Sequence, residues 1–190
     1  MKTLARWVDG KVNLIAIIFL FWAIFWGLNG GDKFLNGEYA ANLDDSSVKA
    51  VLVDEMGGIT HRMHTMETIG PFGVNRDEEM VAFFQRVDMP APVALAFLYG
   101  IGVLEVVLGV VFLALLSWHF LPEGAKARAG LLSDRTLQSL AFKGTMLLFV
   151  MFAAGDILFG ERTELWEHCT FLILAILTYN LWHSHWVDVD

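Results

Sequence analysis

Cysteine occurs once in the 190 residues, at Cys169. No internal disulfide can form, no CxxCH motif is available for covalent haem, and there are no thiolates to hold an iron–sulfur cluster. Charge is also sparse. Asp, Glu, Lys and Arg make up 18% of the chain, less than a soluble domain of this length carries. Basic residues are the scarcer sign, 13 against 21 acidic ones. The resulting formal charge of −8 argues against any nucleic-acid partner. No nucleotide-binding glycine loop, internal repeat or low-complexity tract is present.

Apolar residues fill the space instead, at 56% of the chain and a mean hydropathy of +0.53. Crossing a hydrocarbon core of ~30 Å takes about 20 apolar residues in a helix. The runs at about 12–28, 92–121 and 137–159 reach that length, and 165–183 is a slightly shorter fourth. One substantial connection, 29–91, remains, which leaves no room for a soluble catalytic domain. The expected fold is all-α: one membrane domain, a four-transmembrane-helix bundle whose long loop carries a short amphipathic helix at the interface. The first run is rich in aromatics (Phe19, Phe21, Trp22, Phe25, Trp26), and no small-x-small site follows it. It therefore reads as a retained span rather than a cleaved signal.

Positive charge orients such a bundle. Lys2, Arg6 and Lys11 precede the first run, and Lys126, Arg128 and Arg135 crowd the linker between the second and third. Both regions are expected on the cytoplasmic side of a bacterial inner or intracytoplasmic membrane. The acidic 29–91 connection then lies outside, with both termini inside. Within that loop Met80, Phe83, Phe84 and Val87 recur at helical spacing over 78–88, opposite Glu79, Gln85 and Arg86. This pattern predicts a helix lying flat at the outer interface, leading to Pro92, which suits the first turn of the next helix. Trp7, Trp118, Trp182 and Trp186 are expected at the inner interface, and Trp26 and Trp166 at the outer one.

Glu105 interrupts the second run, with no charged neighbour for a dozen residues on either side. An ionisable group so placed costs several kcal/mol unless it faces a partner or a polar cavity. About 20 Å of helix separates it from the start of its span, at ~1.5 Å per residue. Lys33, Asp156, Glu164, Glu167 and His168 are expected together at the outer end, with Glu164 and His168 on one helical face. A cleft opening outward and narrowing to Glu105 would account for all of these groups.

Two readings of the cleft compete. In one it is a proton-exchanging pocket in which Glu105 or His168 trades a proton with a bound quinone headgroup. In the other it is a structural lock, pairing Lys33 with Asp156 or Glu167 and hydrogen-bonding a neutral Glu105 to Tyr99 or a facing carbonyl.

The stretch Phe84-Gln85-Arg86-Val87-Asp88-Met89-Pro90-Ala91-Pro92, then Tyr99-Gly100-Ile101-Gly102-Val103-Leu104-Glu105, resembles the second-span signature of DoxX-like membrane proteins. Gly30-Gly31-Asp32-Lys33-Phe34 is similar to the exit of that family's first span. The outer loop is longer than the family's, and Asp156, Glu167 and His168 match none of its motifs. The resemblance implies a small accessory subunit of a respiratory or photosynthetic electron-transfer complex, with other membrane subunits and the lipid bilayer as partners. It also implies an alternative, a quinone-reducing subunit of a thiosulfate:quinone type of oxidoreductase fed by a docked partner. A small carrier using the same cleft is a third reading. On these expectations Glu105 and His168 handle protons, while Lys33, Tyr99, Asp156 and Glu167 surround a quinone. No intrinsic cofactor is expected.

The remaining features have plainer readings. His61 and His64 are three apart but read as solvated loop residues, so no metal is expected. His119, His183 and His185 sit at span edges, where interfacial histidines are common, although opposed histidines can ligate haem. Cys169 reads as a small buried hydrophobe. Gly102 and Gly109 share a face suited to packing on the Gly27 and Gly31 pair of the first span. The aromatic face of that span reads as a surface for lipid or a partner.

Overall fold

A computed structural model describes residues 12–35, 76–126, 130–133 and 135–187. These form α1 (Leu14–Leu35), α2 (Arg76–Gln85), α3 (Ala91–His119), α4 (Glu123–Lys126), α5 (Arg135–Phe159) and α6 (Arg162–Val187), with a 3₁₀ turn over Gly130–Ser133. No strand occurs among the described residues. His61, His64 and most of the 29–91 connection lie outside them.

Three helices, α1, α3 and α5, are long and apolar enough to cross a membrane. Their outward faces carry Leu20 and Ile24, Val107 and Val110, and Leu147 and Val150, all well exposed. Helix α6 has comparable length, at 26 residues. Polar side chains at both of its ends, Glu164 to His168 and Asn180 to His185, lower its hydropathy.

Local chemistry sets the helix ends. Asn13 Oδ1 accepts the Ala16 N–H at 3.0 Å, capping α1. Helix α2 stops at Gln85 because Asp88 turns left-handed (φ 57°) and the Met89 N–H reaches back to the Phe84 carbonyl at 3.0 Å. Gly160 (φ 81°) ends α5 in the same way, with the Glu161 N–H bonding the Asp156 carbonyl at 2.8 Å. Both are Schellman-type stops, which need one residue that tolerates the left-handed region. The expected helix over 78–88 is therefore displaced toward the N-terminus. Phe83 and Phe84 are buried against Ala94 and Phe159, so protein covers that face. Glu79, expected on the polar side, is buried as well.

Helices α1 and α3 run antiparallel in close contact. A Cβ on Gly109 would sit 2.7 Å from the Gly27 nitrogen, and one on Gly30 would sit 2.8 Å from the Val106 nitrogen and 2.9 Å from the Gly102 carbonyl. On α1 the glycine that no side chain could replace is Gly30, whereas Gly27 presents its backbone to Gly109 and a Cβ of its own would face open space. Gly31, expected in the contact, faces open space.

The aromatic face of α1 is turned inward, contrary to the expectation of a surface for lipid or a partner. Phe19, Trp22 and Trp26 are almost wholly buried, in a cluster with Phe112, Phe142 and Phe149. Only Phe21 keeps substantial exposure. Indole N–H groups can sit there because acceptors meet them. Trp22 donates to Thr178 Oγ1 at 3.0 Å, Trp26 to Thr145 Oγ1 at 2.9 Å, and Trp182 to Gln138 Oε1 at 2.9 Å. Hence Trp26 and Trp182 are core residues, not interfacial markers, and Trp118 is buried too. Trp166 is largely exposed.

Replacing Thr145 by Val keeps the shape but removes the acceptor for Trp26. The variant should unfold more easily by about 1–2 kcal/mol, as read by denaturant titration in micelles. A change within error would show that the Trp26 bond contributes nothing.

Candidate functional site

The Schellman stop at Gly160 brings the end of α5 beside the start of α6. The antiparallel packing of α1 on α3 brings the end of α1 to the same end of the bundle, where α2 covers the gap. These elements enclose a cavity of about 380 Å³. Phe25 and Trp26 of α1, Phe149 and Phe152 of α5 and Phe171 of α6 form its apolar walls, and Met80 and Phe83 of α2 close over it. The ring of Phe149 lies 5.0 Å from Trp26 and 5.7 Å from Phe171.

Polar groups stand at defined points on this apolar surface. Lys33 and Glu105 both line the cavity. Lys33 Nζ lies 2.6 Å from Glu105 Oε2, and only 1% of the Glu105 side chain is exposed. The lysine also donates to the Asn29 carbonyl, at 3.3 Å. At 2.6 Å the ammonium is within charge-assisted hydrogen-bond distance of Glu105 Oε2.

On the opposite side His168 Nδ1 meets Asp156 Oδ2 at 2.7 Å, joining α6 to α5. Its ring lies 5.0 Å from that of Phe152. With Nδ1 held by the carboxylate, Nε2 is left to exchange a hydrogen bond or proton with a bound molecule.

The covering helix is tied down at three points. Arg76 donates to Asp32 of α1 at 2.7 Å and to Glu79 at 2.8 Å. Burial opposes the charge on Arg76, yet Glu79 and Asp32 outweigh it and hold the guanidinium proton above the usual arginine range. Tyr99 donates to both carboxylate oxygens of Asp77, at 2.8 and 2.9 Å. After the helix ends, Arg86 pairs with Glu161 and donates to the Phe159 carbonyl at 2.8 Å.

Of the residues singled out from the sequence, Lys33, Glu105, Asp156, Glu167 and His168 all line this cavity. Their pairing differs from the structural lock envisaged there. Lys33 pairs with Glu105, not with Asp156 or Glu167, and Asp156 is taken by His168. Tyr99 is directed to Asp77 and stacks on Phe34, with ring centroids 5.7 Å apart, so it neither bonds Glu105 nor joins the lining. Sequence reasoning missed Arg76, Glu79 and Glu161. Arg76–Asp32 spans 44 residues and Arg86–Glu161 spans 75, which no local spacing rule reaches, whereas Arg76–Glu79 is an i,i+3 pair that helical spacing could have found.

At the other end of the bundle, His183 is exposed and stacks on Tyr179, with centroids 5.9 Å apart, and His119 packs edge-on against Phe120. Cys169 is partly buried. Among the described residues no group of three or more His, Cys, Asp or Glu is placed to hold a metal. No family model, curated protein or solved structure matches this chain.

Proposed function

We propose that this chain is a four-span membrane subunit of a redox assembly, of DoxX-like type, whose cavity receives a quinone headgroup. The observation that carries this reading is the pair of ionisable couples, Lys33–Glu105 and Asp156–His168, on the walls of one aromatic cavity. A quinone ring is flat and apolar, with a carbonyl at each end. Aromatic walls suit the ring, while Lys33 and, as the imidazolium held by Asp156, His168 Nε2 suit the carbonyls as donors. Reduction takes two electrons and two protons. The chain has one cysteine and no haem-attachment motif, so the electrons must come from a redox centre on another subunit. The residues here bind, orient and exchange protons.

In this reading α6 is the fourth span. Ile173, Leu177 and Leu181 give it an outward apolar stripe, while Phe171, Thr178 and Trp182 pack inward. Lys126 and Lys143 lie toward the end away from the cavity, which supports a cytoplasmic location for that end and an outer one for the cavity mouth. The carrier reading is weaker. Beyond Trp26 the bundle interior is filled by Trp22, Phe112 and Phe142, and the buried polar groups there, Thr145, Thr178 and Gln138, are taken up by indole N–H donors.

The test uses the purified protein in mild detergent. Trp26 lines the cavity, so a neutral quinone should quench tryptophan fluorescence saturably. His168→Leu should weaken the interaction roughly tenfold, the worth of one hydrogen bond of about 1.4 kcal/mol. Absence of saturable quenching, or His168→Leu with unchanged affinity, would overturn the reading. Mass spectrometry of co-purifying chains tests the assembly: partners carrying haem, flavin or chlorophyll are expected.

A further inference from the structure

The cavity wall changes character around the bundle. On the α1–α6 side Phe25 and Phe171 meet with rings 4.7 Å apart, and nearer the outer end stand the polar groups Lys33 and His168. On the α3–α5 side the helices touch below the cavity, where Phe112 and Phe142 lie 5.3 Å apart. Toward the outer end the ring of Phe84 bridges them, 5.6 Å from Phe97 and 5.1 Å from Phe159. Between these closures the lining is Phe97, Leu98 and Ile101 of α3 with Met151 and Gly155 of α5. The acids at this level, Glu105 and Asp156, are turned away to Lys33 of α1 and His168 of α6. Phe97 lines the cavity yet is 41% exposed, so it belongs at once to the wall and to the outer face of α3. Met151, partly buried, shares a stripe of α5 with the exposed Leu147 and Leu158. The wall therefore runs into the apolar surface that these membrane-length helices present outward.

We infer that the α3–α5 side is a lateral portal, through which the hydrocarbon tail of a bilayer-borne ligand leaves the cavity while its head stays between Lys33 and His168. This rests on the quinone-pocket reading and names the ligand class: a long-tailed, lipid-soluble quinone, not a short water-soluble one. A cavity of about 380 Å³ is at the small end for a ligand pocket. It holds a ring, and a long chain has to lie elsewhere. Leaving between α3 and α5, the chain passes from an apolar wall to acyl chains that are as apolar as leucine. Leaving toward the aqueous phase, it would bring each methylene group into water, at a cost for every one. Gly155 keeps the lateral route open. A Cβ there would meet nothing nearer than the Phe159 ring, at 3.8 and 4.0 Å, so this glycine borders free space and not a tight helix contact.

The experiment uses the full-length protein in lipid nanodiscs and two quinones with one ring system, one tail-free and one bearing a long hydrocarbon chain. Binding is read by tryptophan quenching. In Gly155→Leu the new side chain fills the exit, so the affinity of the tailed quinone relative to the tail-free one should fall about tenfold from its wild-type value. A relative affinity untouched by the variant would overturn the portal. A second measurement is independent of how the variant folds. The wild type is irradiated with a tailed quinone carrying a diazirine close to its ring, and the adducts are mapped by mass spectrometry. They should fall on Leu98, Ile101 or Met151 and disappear under excess tail-free quinone. Adducts confined to the outward-facing Leu104 and Val107, or indifferent to the competitor, would mark ordinary bilayer contact and sink the portal. If neither quinone quenches saturably, the quinone reading fails on its own. A long-chain alcohol with the same photoreactive group then decides the portal: adducts on Ile101, which is 4% exposed, uphold it, and their absence overturns it.

Discussion

Lys33→Met is expected to destabilise the folded protein by about 3–5 kcal/mol, the cost typical of removing one partner from a buried ion pair. Glu105 lies in the middle of an apolar helix with 1% of its side chain exposed, and among the described residues Lys33 is its only ionic partner. Methionine matches the lysine stem in length and apolar character, so packing is largely kept and the lost charge dominates. The variant leaves a buried carboxyl group without its paired cation, so it must either bear the cost of burial or take up a proton.

The companion variant separates this effect from general damage. In Lys33→Met/Glu105→Gln both charges are gone and the shapes persist, so most of the loss should be recovered. Urea or SDS titration in micelles, followed by tryptophan fluorescence, measures both. A loss below about 1 kcal/mol for Lys33→Met, or no recovery in the double variant, would show that the pair does not hold α1 to α3.

Gly109→Val is the second large effect expected, at about 2–3 kcal/mol. Helix association in lipid gains little from apolar burial, because acyl chains are as apolar as leucine, and depends on close van der Waals approach. At Gly109 the new Cβ would meet backbone, at 2.7 Å from the Gly27 nitrogen and 2.9 Å from its Cα. Neither atom can rotate aside, so the helices must separate. Separation would also draw Lys33 from Glu105, since Gly30 and Gly102 make the next contact along the same seam. Quinone affinity should therefore fall together with stability.

Gly100→Ala provides the contrast. Nothing lies within 4 Å of a Cβ there, and alanine favours helix by about 0.5–1 kcal/mol. It should be neutral or stabilising, and equal losses at Gly100 and Gly109 would contradict the packing described. The same titration distinguishes these outcomes.

Hydropathy was enough to place α3 and α5 to within a few residues, because the length and apolarity needed to cross hydrocarbon are local properties of the chain; α1 starts where expected but runs on to Leu35, past the expected end at 28. The isolation of Glu105 in its run was equally legible, and so was the need for it to face something polar. Depth along a helix follows from counting residues at a fixed rise. That reasoning placed Lys33, Asp156, Glu167 and His168 near one end, and all four line the same cavity.

Partnership was not legible. Which carboxylate Lys33 meets depends on how α1 and α3 are rotated about their axes, and that rotation follows from the glycine contacts at Gly30 and Gly109. Spacing alone left Lys33 with Asp156 as plausible as Lys33 with Glu105. The aromatic residues of α1 show the same limit. Phenylalanine and tryptophan are as apolar against lipid as against protein, so their sequence pattern cannot choose a side. Only acceptors on other helices, Thr145 for Trp26 and Thr178 for Trp22, turn that face inward.

Composition and periodicity thus established an all-helical, lipid-compatible chain with one carboxyl group needing a host. The tertiary packing decided which cation hosts it and which polar groups share one cavity with it. The physical reason is that a helix records depth in its sequence, whereas the direction each side chain faces is settled only by what packs against it.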